Sequence, residues 1–337
     1  MSSVKHLLPE VPKYFKTNLH THSTISDGKL SPQEVKDAYK AQGYQVLSLT
    51  DHNTIVNHSD MNDPDFLMLT GVEVNINAPE WNRLTSKTYH IILLAKDPEN
   101  LWCPTKFRRW FTVPDEIENQ IQYGDMELKY GTESINEMIA KANEMGFLVM
   151  YNHPTWSGQT HEDYAPLRGL WGMELRNTEC CMIGYDENNN RVFREMMNAG
   201  CRVFPVGTDD MHYPRALGKS WIMLGAPELT YGSVIESMEK GDFYMSCGPE
   251  ITSLSMEGTT LKVTCSDAQR VNLLTYARYA RVAFAEDEPL REAEFNLEKF
   301  LEQANGDPNA FIYVTVTAAD GSYACTRAYF LNELPDK

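Results

Sequence analysis

The stretch Asn18-Leu19-His20-Thr21-His22-Ser23-Thr24-Ile25-Ser26-Asp27-Gly28 sets two histidines two residues apart behind an apolar position, then adds an aspartate and a glycine. In a strand, residues i and i+2 point the same way, so His20 and His22 would present two imidazoles side by side on one face. That is metal-ligand geometry, placed at the C-terminal end of a strand predicted over residues 17–20.

Outward from this strand, short apolar runs alternate with helical patterns up to about residue 247. Further strands are predicted over residues 45–49, 66–70, 89–95, 147–151, 170–175, 202–206 and 221–224. The segment SPQEVKDAYKAQG reads as a helix, with Ser31 as N-cap, Pro32 in its first turn, Glu34 closing a capping box and Gly43 as the stop. Two more helical patterns, residues 132–146 and 190–200, also end in glycine. The order predicts a parallel α/β barrel or sheet, and a barrel gathers its functional residues at the C-terminal ends of its strands.

After Gly248-Pro249 the texture becomes alternating and rich in Thr, Val and Tyr, which predicts a small antiparallel β-sandwich. The expected division is 1–247 and 248–337. Residues 97–131 form a connection longer than such a fold needs, holding Trp102, Trp110 and the Arg108-Arg109 pair. Surface insertion or oligomer contact is the first reading of it, a lid over the site the second.

Six of the nine histidines stand at predicted strand ends: His20, His22, His52, His90, His153 and His212. Asp27, Glu73 and Asp210 occupy the same kind of place. A single such histidine is ordinarily a hydrogen-bonded core or surface residue. Six of them with three carboxylates are costly to bring together unless something binds them, and a polynuclear metal site is that something. Mixed nitrogen and oxygen donors without thiolate suit zinc, manganese or iron. Asp51 and Asp209, each beside a candidate ligand, read as groups that orient imidazoles. His6, His58 and His161 read as surface residues.

The chain carries 30 basic and 47 acidic residues, a net charge of −17. That balance opposes a nucleic-acid polymer or an anionic membrane as partner and leaves a small molecule as the expected one. An anionic substrate then needs a local cation: Arg176, two residues along a strand from Glu174, or Arg215 and Lys219. The seven cysteines include no C-x-x-C pair and fit buried thiols in a reduced, cytoplasmic protein. No apolar run is long enough for a membrane span, and the first residues lack the apolar core of a secretory signal.

The motifs LHTHSTISDG, LTDHNT, GVEVN, YNHP and GTDDMH, in this order over residues 17–247, resemble those of the PHP (polymerase and histidinol phosphatase) superfamily. The detail around SDG and DDMH resembles its branch of small metal-dependent phosphoesterases and carbaryl hydrolase-like proteins. The resemblance implies a distorted (β/α)7 TIM-like barrel with a C-terminal antiparallel β domain. It also implies two or three divalent metals (Zn, Mn or Fe). His20, His22, Glu73 and Asp210 would hold the first, Glu73 with His90 and His153 the second, and Asp27, His52 and His212 the third. Some members have histidine where this chain has Asp27, so the third site is the variable one.

The function this implies is a metal-dependent phosphoesterase that cleaves a small phosphomonoester or phosphodiester through a metal-bridging hydroxide. Glu73 and Asp210 would hold the metals and Arg176 the phosphate. A carboxyl ester, carbamate or amide hydrolase on the same metals is the alternative, with Trp102, Trp110 and Phe111 lining an apolar pocket. A catalytically silent binding domain is the third reading, and it would show missing ligands. The oligomeric state is not legible.

Overall fold

The computed structural model describes residues 4–11, 13–79, 82, 85–304 and 306–335. Its strands are β1 (Val4–His6), β2 (Tyr14–Asn18), β3 (Val46–Leu49), β4 (Leu67–Asn77), β5 (Thr88–Ala95), β6 (Trp102–Cys103), β7 (Gln122–Tyr123), β8 (Phe147–Tyr151), β9 (Gly172–Asn177), β10 (Phe204–Thr208), β11 (Trp221–Gly225) and β12 (Phe243–Ser246). The C-terminal part adds β13 (Ile251–Glu257), β14 (Thr260–Ala268), β15 (Arg270–Thr275), β16 (Ala280–Phe284), β17 (Leu290–Asn296), β18 (Phe311–Thr317), β19 (Tyr323–Thr326) and β20 (Tyr329–Phe330).

One large sheet runs β10-β9-β8-β5-β4-β3-β2-β11-β12-β19-β18-β15-β16, with β20 added to β18. Strands β2 to β4 are parallel, as are β8 to β10. Strand β5 runs against both of its neighbours. The sequence order predicts parallel strands here. Because β4 extends to Asn77, however, only residues 78–87 separate it from β5, fewer than the dozen or so a parallel crossover needs.

Among the described residues the pairing does not close into a barrel, so the expected (β/α)7 ring is replaced by a mixed α/β sheet. The reason lies at β2, whose second edge is filled by antiparallel β11. Beyond the strand proper, the chain after β2 does meet the chain after β10. Asp210 N donates to His20 O (2.9 Å) and His22 N to Met211 O (3.1 Å), around the isolated bridge Thr21–Met211. That contact brings the first candidate ligands beside the last.

Helices cover the sheet as the caps predict. Ser31 caps Pro32–Ala41 in a complete capping box with Glu34, and the helix buries Val35 and Tyr39. Helices Thr132–Glu144 and Asn190–Asn198 bury Ile135, Met138, Ile139, Phe193 and Met196 in the main core. No helix of the described residues is long and apolar enough to cross a membrane.

The C-terminal strands build a second core between the sheet β1-β13-β14-β17 and the far end of the large sheet. Its alternation is that of half-buried strands: Leu254, Met256, Leu261, Val263, Val314 and Val316 point in. The N-terminal strand belongs to this second body. Val4, Lys5 and His6 pair with Glu257, Met256 and Ser255, and Leu7 and Leu8 are buried in its core. The chain therefore crosses the expected boundary at residue 247 at its very start, and the sheet crosses it again where β12 pairs with β19.

Candidate metal centre

Glu73 occupies the middle of β4, fully buried, with Val72 and Val74 on the opposite face. Around it converge side chains from the ends of other strands. Glu73 Oε1 lies 3.1 Å from His90 Nδ1 and 3.2 Å from both His20 Nε2 and His153 Nε2. Glu73 Oε2 lies 2.8 Å from His52 Nδ1 and 3.5 Å from His22 Nε2. Asp210 Oδ1 is 3.1 Å from His20 Nε2 and from His22 Nε2, and 3.5 Å from His212 Nδ1. Asp27 Oδ1 completes the outer end, 3.3 Å from His212 Nε2 and 3.7 Å from His52 Nε2.

All nine candidate ligands thus meet in one place. Their donor atoms fall into four overlapping groups: His20, His22 and Glu73; His20, His153 and Asp210; His52, Glu73 and His90; and His22, Asp27, His52 and His212. The grouping differs from the three expected sets in placing His22 also beside the Asp27 cluster, His52 also beside His90, and His153 with His20 and Asp210.

Whether such donors fit divalent ions is answered by their spacing and by what they lack. Four donors held tetrahedrally at ~2.0–2.1 Å from zinc stand about 3.3 Å from one another. His20 Nε2, His22 Nε2 and Asp210 Oδ1 stand 3.1 Å from one another, and Glu73 brings Oε1 to 3.2 Å from His20 Nε2 and Oε2 to 3.5 Å from His22 Nε2. Two imidazole Nε2 atoms face each other at 3.1 Å, an arrangement with one shared proton at best. His22 Nδ1 is buried without a hydrogen bond, a cost of about 1–3 kcal/mol, while Glu73 Oε2 and Asp210 Oδ1 touch imidazole nitrogens without making a well-aligned hydrogen bond. The donors fit.

Electrostatics sharpen the arrangement. Burial weighs against charge on Glu73, but His90, His20 and His52 outweigh it and hold the carboxyl well below the usual range. Asp210 is held down in the same way by His20 and His22. Burial together with the nearby imidazoles of His212 and His52 pushes His22 down to about 4, so it offers a lone pair at neutral pH. Burial opposes charge on His153 and His212 too, yet Glu73 and Asp27 respectively raise them to about 9. Backbone strain collects here as well. Among the described residues the non-glycine positions with positive φ are Asn53 (51°), His153 (24°) and Asp210 (50°), all in this centre.

Several residues that build the centre lie outside the nine candidate ligands. Glu174 Oε1 accepts from His20 Nδ1 at 2.6 Å and from Thr208 Oγ1, while Oε2 accepts from His153 N and Asn177 Nδ2. Asn177 also donates to Asp210 Oδ2, Asn152 to Glu73 Oε1, and Asn75 Oδ1 faces His52 Nδ1 at 3.0 Å. An acid amid the apolar residues of GMELRN was the available hint for Glu174.

Other expectations are corrected. Asp51 accepts from the backbone and hydroxyls of Ser23 and Ser26, and Asp209 from Tyr39, Thr178 and the amides of Gly218, Lys219 and Ser220. They shape the loops that carry the ligands and hold no imidazole. Arg176 does not join the cluster. The pairing of β9 with β10 shifts register between Glu174 and Arg176, which breaks the i, i+2 alternation and turns the guanidinium to Asn188. Arg215 is paired with Glu179 and lies over Tyr213. His58 is buried, not at the surface. Trp102 packs in the core against Phe147, whereas exposed Trp110 stands 5.2 Å from His52 and Trp156 5.0 Å from His153, ring to ring. Arg109 fixes the 97–131 connection beside the centre by donating to Asn53 O and Glu118. All seven cysteines are free, outside the cluster.

The family model of the PHP domain matches residues 18–102, which hold His20, His22, Asp27, His52, Glu73 and His90. Over this segment the chain is similar to the PHP domain. A 5′-3′ exoribonuclease of Haemophilus influenzae is 42% identical over 66 residues, 18% of this chain and 24% of that protein. The chain thus spans about a quarter of the length of the curated relative it matches. Among solved structures, a two-domain protein from Bacteroides vulgatus containing a predicted PHP-like metal-dependent phosphoesterase is 15% identical, covers 97% of this chain and 98% of its own, and has a TM-score of 0.45. An amidohydrolase from Chromobacterium violaceum, with bound sulfate and no metal, is 18% identical, covers 67% and 96%, and scores 0.39. The PHP segment supplies six of the nine candidate ligands; His153, Asp210 and His212 come from beyond it.

Proposed function

We propose that this PHP-like protein is a metal-dependent hydrolase that cleaves a small phosphomonoester or phosphodiester. The observation that carries the reading is Glu73, a buried carboxylate within 3.5 Å of five imidazoles, with one oxygen left without a hydrogen bond. His20, His22, Glu73 and Asp210, with His90 and His153, would hold two divalent ions, and Asp27, His52 and His212 would hold a third. Zinc, manganese and iron all suit these donors. When bound, such ions acidify water and offset the charge that builds up on a phosphoryl group. The chain's own part is to fix the donors: Glu174 sets the ring of His20, Asn177 turns Asp210, and Asn75 orients His52.

A neutral carboxyl ester, carbamate or amide is the second reading, and the aromatic flank formed by Trp110 and Trp156 favours it. We read residues 1–247, apart from the β1 strand that pairs with β13, as the catalytic part and residues 248–337 as an accessory β part. The test is hydrolysis of a panel of phosphate and carboxyl esters by protein loaded with each metal, beside Glu73→Gln. That variant is expected to lose metal and to lower turnover by at least a hundredfold while circular dichroism stays native. Native metal content and rate in the variant would overturn the assignment.

A further inference from the structure

Away from the candidate metal centre, a trough runs between the helix Asn190–Asn198 and the sheet face of β15, β18 and β19. Its larger part is a cavity of about 590 Å³, and a second of about 400 Å³ continues it, the two sharing Gly321 and Tyr323. None of the nine candidate ligands lines either part. Four arginines do: Arg191, which is paired with Glu195, and three others, Arg194 and Arg270 in the larger part and Arg176 in the smaller.

The state of those three others is unusual for a chain of net charge −17. Arg194 donates to Ala277 O, Arg270 to Thr317 Oγ1 and Arg176 to Asn188 Oδ1, all neutral acceptors. The acids on the walls are already engaged: Glu195 by Arg191 and the Tyr164 hydroxyl, Asp320 by Ser322. Arg176 Nε and the Tyr323 hydroxyl are buried and make no hydrogen bond. Two donors therefore stand unused, one on a residue of the smaller cavity and one on a residue that lines both. The rest of the lining alternates amide and hydroxyl groups, with Asn272 Nδ2 donating to Thr315 Oγ1 across the strands.

We propose that this trough binds a sugar phosphate: guanidiniums offer paired hydrogen bonds to the phosphate, and the asparagine and threonine side chains match the hydroxyls. Its volume suits a ligand no larger than a mononucleotide. Occupancy would tie the helix between β9 and β10 to the β part beyond residue 248.

Equilibrium dialysis of the metal-loaded protein with radiolabelled glucose 6-sulfate, a probe the proposed hydrolysis of phosphate esters leaves intact, separates the two sites. Inorganic sulfate and glucose serve as competitors. The expected result is one bound equivalent, weakened at least tenfold in Arg194→Gln/Arg270→Gln and also in Asn198→Trp, which fills the trough from an exposed helix position. Glu73→Gln should retain the binding. Three results would overturn the proposal: no binding to the native protein, binding untouched by both trough variants, or binding lost in Glu73→Gln, which would place the anion at the metal centre. Competition by sulfate alone at equal strength would reduce the site to a simple anion site and refute the sugar component.

Discussion

Glu174 shows how much of a metal centre rests on a residue that need not touch the metal. Its two oxygens accept from His20, Thr208, His153 N and Asn177, so one buried carboxylate fixes the ring of one candidate ligand and the backbone of another. Glu174→Gln keeps the shape and removes the charge. Groups of this kind typically contribute 10–100-fold to metal affinity, and a loss of that size is expected in a chelator-competition titration, with the fold retained. Unchanged affinity would mean that His20 is oriented by its carboxylate neighbours alone. At this scale the histidines were legible because each stands at the end of an apolar run. Glu174 was not, because reading by alternation paired it with Arg176. The register shift in β9 makes them diverge, and a single bulge is invisible to a period-two pattern.

Among the elements, the connection over residues 97–131 is the one whose behaviour should depend on pH. Glu118 accepts from Lys106 (2.7 Å) and Arg109 (2.6 Å), while Arg109 also reaches Asn53 O, next to His52. Burial raises the Glu118 carboxyl, but the hydrogen bonds from Lys106 and Arg109 outweigh it and bring it down from 4.5 to about 2. A depressed carboxyl stabilises the fold fully above its unfolded value and loses that contribution as pH falls through the folded one. Hydrogen exchange in this segment should therefore be faster in Glu118→Gln than in the native protein at pH 7. The difference should shrink as pH drops from about 4.5 towards about 2. Equal exchange at pH 7 would show that the anchor holds nothing. Element boundaries came through well where caps mark them, as at Ser31 and Glu34. The sense of β5 did not, because an apolar run reads the same in both directions and only the short 78–87 connection decides it.

On the scale of the whole molecule, the contacts run across the change of texture at residue 248. Phe311, Tyr313 and Cys325 from beyond residue 248 lie in the main core, and β12 pairs with β19 through Tyr244, Met245 and Ser246. A chain cut after residue 247 opens that strand edge and uncovers Leu7, Leu8 and Tyr244. It is expected to aggregate or melt well below the full chain, read by size-exclusion chromatography and thermal unfolding. A stable monomer with native melting would contradict this. Composition showed the change of texture at Gly248-Pro249, but which strands share a sheet is a long-range fact that local pattern does not hold.

The pairing of β1 with β13 also sets an order of events during synthesis. Val4 to His6 leave the ribosome about 250 residues ahead of their partners Ser255 to Glu257. At ~5–20 residues per second that delay is on the order of ten seconds or more. All nine candidate ligands, the last being His212, emerge before β13 exists. The nascent chain must therefore pass through a stage in which the groups for ion capture are all present while its leading strand, with Leu7 and Leu8 behind it, has nowhere to dock.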